Sequence, residues 1–117
     1  MSEEAQREFV RRFYAALDAG DADTASALFP DGTRIYLWDG RTFTTRAEFR
    51  AWFERLHATS ADAKREVVDF EVEGNKAKVK VVLHANVNGE EKTVLLEHWF
   101  EFEGDRLVRV EVTIKPL

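Results

Sequence analysis

Four polar side chains are of types that could do chemistry together: Tyr14, Asp18, Arg65 and His98. Tyr14 and Asp18 are four residues apart, which places them on one face of a helix. Asp18 falls in the last turn of that helix, where the dipole disfavours a negative charge and a cation partner is wanted. Arg65 is a permanent cation, suited to binding an anion. His98 is the side chain best able to accept a proton near neutral pH. Such a set could remove a proton and stabilise the anion that remains. Each residue also has a plainer reading. Asp18 can be solvated beside a core tyrosine, His98 can be a core imidazole bonded to a neighbour, and Arg65 can be a solvated charge.

Other chemistries lack their residues. The chain has no Cys, so thiol nucleophiles, Cys-based zinc sites and iron–sulfur clusters are excluded. His57, His84 and His98 are too scattered to read as a metal site, and no H-E-x-x-H spacing occurs. There is no phosphate loop and no G-x-S-x-G. A net charge of −5 argues against nucleic acid or an anionic membrane as partner. The opening MSEEAQREF lacks the basic and apolar regions of a secretory leader, and no apolar run is long enough to span a bilayer. A recombinant cytoplasmic protein is the expectation. With 117 residues, the chain suffices for one domain over 1–117.

The elements that must position the four residues can be read from periodicity. Phe9, Val10, Phe13, Tyr14 and Leu17 form one face of a helix from Ser2 to Ala19, capped by Ser2 and stopped by Gly20. A short second helix runs from about Asp21 or Asp23 to Phe29. Asp39-Gly40 marks a hairpin between Thr33–Trp38 and Arg41–Phe43. Thr45 and Glu48 have capping-box spacing and open a third helix carrying Phe49, Trp52, Phe53 and Leu56, ending near Thr59. Four strands follow: Glu66–Glu73, Lys76–Asn86, Lys92–Glu103 and Arg106–Lys115. On the third of these, Val94, Leu96, His98, Phe100 and Phe102 share an apolar face. Val79, Val81, Leu83 and Ala85 share one on the strand before it, and Val108, Val110, Val112 and Ile114 on the strand after. Alternation through Val68, Phe70 and Val72 points Glu66 inward and Arg65 outward, unless a bulge intervenes. The charged outer face predicts a monomer.

The order α-α-β-β-α-β-β-β-β makes this an α+β chain. It resembles the NTF2-like (cystatin-like, SnoaL-like) superfamily. That resemblance implies a cone in which a curved antiparallel sheet wraps helices around a pocket for an apolar small molecule.

A narrower resemblance rests on Tyr14, Asp18, Arg65 and His98 together with the segments RRFYAALDAGDADTA, LWDGRTFT and FRAWFERL. In these the chain is similar to the de novo designed luciferases of the LuxSit type, and the regular capping and turn signals suit an idealised design. The resemblance implies a Tyr14–His98 dyad and an Asp18–Arg65 dyad, with Arg65 in the pocket despite the alternation. It implies a synthetic imidazopyrazinone luciferin, diphenylterazine, as partner, with O₂ as co-substrate and no cofactor or metal. His98 or solvent would take the substrate proton, Arg65 would bind the anion, Asp18 would orient Arg65, and Tyr14 would fix the imidazole or hydrogen-bond the substrate itself. The expected pocket wall is Phe13 and Leu17 on the first helix, Ile35, Leu37 and Trp38 in the hairpin, and Phe49, Trp52, Phe53 and Leu56 on the third helix. The sheet would add Val81, Leu83, Leu96, Phe100, Val110 and Val112. Two other readings share this scaffold: a ketosteroid-isomerase-like proton shuttle, and a designed pocket that binds without catalysis.

Overall fold

A computed structural model describes residues 1–60 and 62–115. Helix α1 spans Glu3–Ala19, with the Ser2 hydroxyl accepting from the Ala5 amide and Gly20 closing it at φ 69°. That left-handed turn suits glycine, and a side chain there would also meet the His57 ring, which packs against the same spot. Helix α2 (Ala22–Ala27) is shorter than its periodicity suggests, and Phe29 follows it fully buried. Strands β1 (Arg34–Tyr36) and β2 (Thr42–Phe43) form the small hairpin. Helix α3 (Arg46–Thr59) opens on the expected capping box between Thr45 and Glu48. Strands β3 (Lys64–Glu73), β4 (Lys76–Val87), β5 (Glu90–Glu103) and β6 (Arg106–Lys115) complete the chain.

The strands make one sheet in the order β2-β1-β6-β5-β4-β3. It is mixed rather than wholly antiparallel, because β1 runs parallel to β6, pairing Ile35 with Val110. A long excursion through β2, α3 and three further strands separates the two in sequence, so no hairpin signal could reveal the pairing. The inward face carries Ala77, Val79 and Val81 of β4 and Leu96, His98, Phe100 and Phe102 of β5, all buried. Helix α1 covers it with Val10, Phe13, Tyr14 and Leu17. Phe13, Phe29 and Phe49 interlock, with the Phe29 and Phe49 rings 4.5 Å apart edge to face.

Strand β3 departs from simple alternation. Arg65 pairs with Leu83 and Val67 with Val81, then Asp69 pairs with Lys80 and Phe70 with Val79. Val68 is the extra residue, a bulge that reverses which residues face inward. Arg65 therefore shares the inward face with Phe70 and Val72. The expected inward residues Val68 and Glu66 lie on the exposed side, Val68 at 52% and the Glu66 side chain at 70% exposure.

Candidate active site

Helix α1 presents Tyr14 and Asp18 one turn apart, and each meets a residue of the sheet. The Tyr14 hydroxyl lies 2.8 Å from Nδ1 of His98 on β5. Asp18 Oδ1 accepts from Arg65 Nη1 at 2.8 Å, and its Oδ2 accepts from the Arg65 backbone amide at 3.2 Å. The cation that Asp18 wants at the helix end is thus supplied by β3. Strand β4 separates the two pairs, and Val79 stands across from His98 as Leu83 stands across from Arg65.

One member of each pair borders a single cavity of about 170 Å³. His98 and Arg65 line it, while Tyr14 and Asp18 stand behind them. Of the side chains in its wall, only these two and the indoles of Trp38 and Trp52 carry polar atoms. Helix α1 contributes Phe13 and Leu17, the β1–β2 hairpin Ile35 and Leu37, and α3 Phe49 and Leu56. The sheet contributes Leu83, Leu96, Val110 and Val112. Trp38, 43% exposed, and Ile114, 44% exposed, are the most open members of the wall, and the Trp38 ring packs edge-on against Trp52.

Three residues expected in the wall are elsewhere. Val81 is enclosed between its cross-strand partners Val67 and Leu96, and Phe100 packs edge to face against Phe13, so both belong to the core. Phe53 borders a separate, smaller space on the far side of Leu17 and Leu56. Conversely, Phe29, Val94 and Ile114 do line the cavity. The strand alternation already turns Val94 and Ile114 inward, but nothing local in the sequence marks Phe29, which ends a short helix.

Burial decides the electrostatics. Loss of hydration, reinforced by the Arg65 cation, pushes the His98 pKa down from 6.5 to about 3. The imidazole is therefore neutral at pH 7. Burial thus lowers the basicity that its residue type alone would give His98. Burial pushes the Tyr14 pKa up, against the opposing pull of Arg65, so the phenol stays protonated. A buried phenol needs an acceptor, and Nδ1 is the partner it has among the described residues. Tyr14 then donates to Nδ1 and the ring proton sits on Nε2. The Arg65 side chain is 6% exposed and makes a single side-chain hydrogen bond among the described residues, to Asp18. An apolar cavity with one fixed cation and a neutral imidazole N–H in its wall is suited to a ligand that carries delocalised negative charge.

This architecture can be set beside known proteins. The SnoaL-like domain profile matches residues 10–110. The chain belongs to that family. Similar SnoaL-like and NTF2-like structures agree in fold. A putative SnoaL-like polyketide cyclase from Jannaschia sp. CCS1 is 16% identical, covers 98% of this chain and 90% of its own, and superposes at a TM-score of 0.86. An NTF2-like protein of unknown function from Burkholderia pseudomallei is 22% identical over 98% of this chain and 92% of its own, also at 0.86. An LEH-like epoxide hydrolase from M. tuberculosis is 13% identical over 92% and 80%, at 0.79. At such identities the likeness is one of fold. Among curated proteins none matches the chain. SnoaL-like members are often enzymes, cyclases and hydrolases among them. Among the described residues no group of three metal-ligating side chains occurs and no helix is long and apolar enough to cross a membrane.

Proposed function

We propose that this SnoaL-like chain is a cofactor-independent luciferase of the designed type it resembles, oxidising an imidazopyrazinone such as diphenylterazine with O₂. The observation that carries the reading is the joining of both dyads, Tyr14–His98 and Asp18–Arg65, at the wall of one apolar cavity. The luciferin loses its N–H proton to give an electron-rich anion. The anion combines with O₂, the peroxide closes to a dioxetanone, CO₂ leaves, and the amide product forms in its excited state. Luciferin and O₂ are thereby converted to amide, CO₂ and light, with no external reductant.

The chain's residues support the anionic steps. Arg65 offers its remaining N–H groups to the anion, and Asp18 holds the guanidinium in place. Nε2–H of His98 is a second donor, fixed in that tautomer by Tyr14. The proton goes to solvent rather than to His98. The aromatic and aliphatic wall holds the aryl groups and limits water near the excited product. Ligand pockets for drug-sized molecules usually enclose about 300–1,000 Å³. A diaryl luciferin would thus fill the 170 Å³ cavity and extend past Trp38 and Ile114 at its rim.

The deciding experiment mixes purified, EDTA-treated protein with diphenylterazine in air and counts photons. Emission far above that of the free luciferin, with oxygen consumed, is the expected result. Tight binding without light would identify a binding scaffold instead. The proton-shuttle reading is disfavoured by the neutral, weakly basic His98, and Asp39 is held in its turn by Arg41.

A further inference from the structure

Beside the main cavity lies a second one of about 30 Å³, and Leu17, Leu56, Arg65 and Leu83 border both. Its other side is formed at the end of α3 by His57 and Ser60. Ser60 is 7% exposed, and its Oγ, fully buried, has no hydrogen-bond partner among the described residues. Buried hydroxyls are rarely left so, because the lost hydration is not repaid. Arg65 borders the same space, and Asp18 takes one of its guanidinium N–H groups.

We infer that Ser60 holds one water against the Arg65 guanidinium in this second cavity. A site for water needs about 10–15 Å³ and polar partners, and both conditions are met here. The water accepts from Arg65 and exchanges a hydrogen bond with the Ser60 hydroxyl. The guanidinium is then fixed from two sides, by Asp18 on α1 and by the water on the α3 side. Its remaining N–H groups are aimed into the main cavity. Ser60 is a positioning residue, acting through the water and Arg65 without touching the ligand. The effect on catalysis rests on the luciferase reading, but the water itself does not.

The test uses Ser60→Ala in the full chain. If the hydroxyl is truly unpaired, removing it relieves a buried orphan and raises Tm. If it holds a water, removing it breaks a hydrogen-bonded bridge and lowers Tm, by about 4 °C for a chain of this size. A high-resolution crystal structure of the parent should show density for one water within hydrogen-bond distance of Ser60 Oγ and Arg65. With diphenylterazine, Ser60→Ala should lower kcat about three- to ten-fold and leave KM unchanged, because the cavity wall is intact. A dry cavity, or a rise in Tm, overturns the water site. A bound water with kcat unchanged in Ser60→Ala overturns the positioning role. If the parent emits no light, the luciferase reading falls, while Tm and density still decide the water.

Discussion

Arg65 stands directly across the β3–β4 ladder from Leu83, on the face that lines the cavity. Alternation counted back from Phe70 would put it on the opposite face, and the single extra residue at Val68 turns it in. Its charge is thereby buried beside Asp18 rather than solvated, which sets up an asymmetry between the partners. The Arg65 side chain is 6% exposed and that of Asp18 22%. Asp18→Ala strands a buried cation and also removes the acceptor for the Arg65 backbone amide. Breaking a buried pair in this way costs about 3–5 kcal/mol. Arg65→Ala leaves a carboxylate that reaches water, so its cost is smaller. Denaturant unfolding of the two variants should give that order, and equal losses would show that the pair is not buried as described.

The donor role of His98 separates from a base role by substitution. Glutamine keeps an N–H that can point into the cavity, and alanine does not. His98→Gln should retain light output within about ten-fold of the parent, while His98→Ala should lose about 10²–10³, the usual effect of deleting one donor to a developing anion. Equal losses in stopped-flow luminescence at saturating luciferin would return His98 to the role of base. Tyr14→Phe frees the imidazole tautomer and should fall between the two.

Stability should depend on pH through His98. Its folded pKa of about 3 lies below the unfolded 6.5, so between these values the unfolded chain binds the extra proton. The folded state is therefore favoured above pH 6.5 and loses stability as pH falls toward 3. The slope approaches about 1.4 kcal/mol per pH unit at most. Between pH 6.5 and 4.5, before most carboxylates titrate, the parent should lose more stability than His98→Gln. Parallel urea midpoints for the two proteins would contradict the burial of a neutral imidazole.

Leu95 and Leu96 test the register of β5. Leu96 lines the cavity and is 7% exposed, while Leu95 lies on the other face. Leu96→Arg puts an unpaired charge into the apolar wall and should abolish luciferin binding and lower Tm. Leu95→Arg should change either only slightly. Fluorescence titration with the luciferin and thermal melts would show it, and a reversed order would refute the pairing.

Much of this was legible in the sequence, for reasons that differ by element. The ends of α1 and α3 are written in local chemistry, by Ser2, Gly20, Thr45 and Glu48, and the structure places them accordingly. The inward face of β5 follows from period-two alternation, and the unshifted β4–β5 register keeps it from Val94 to Phe100. Local rules do not reach the parallel pairing of β1 with β6 or the Phe29 side chain in the cavity, since both depend on contacts distant in the chain. The lowered basicity of His98 is likewise a property of its burial rather than its residue type. The inward turn of Arg65 was anticipated by resemblance, and its physical cause, the bulge, is visible only in the ladder.

The Val68 bulge has a second consequence, because β3 is the last strand of the sheet. A straight ten-residue border strand would offer an uninterrupted row of amides and carbonyls to any neighbouring molecule. The kink at Val68 breaks that row, so a second sheet cannot continue the ladder in register past it. Variants that straighten β3 should lose the pocket arginine and gain a sticky border in the same step. A screen for clear lysates and soluble yield would then discard many of the inactive sequences before any photon is counted.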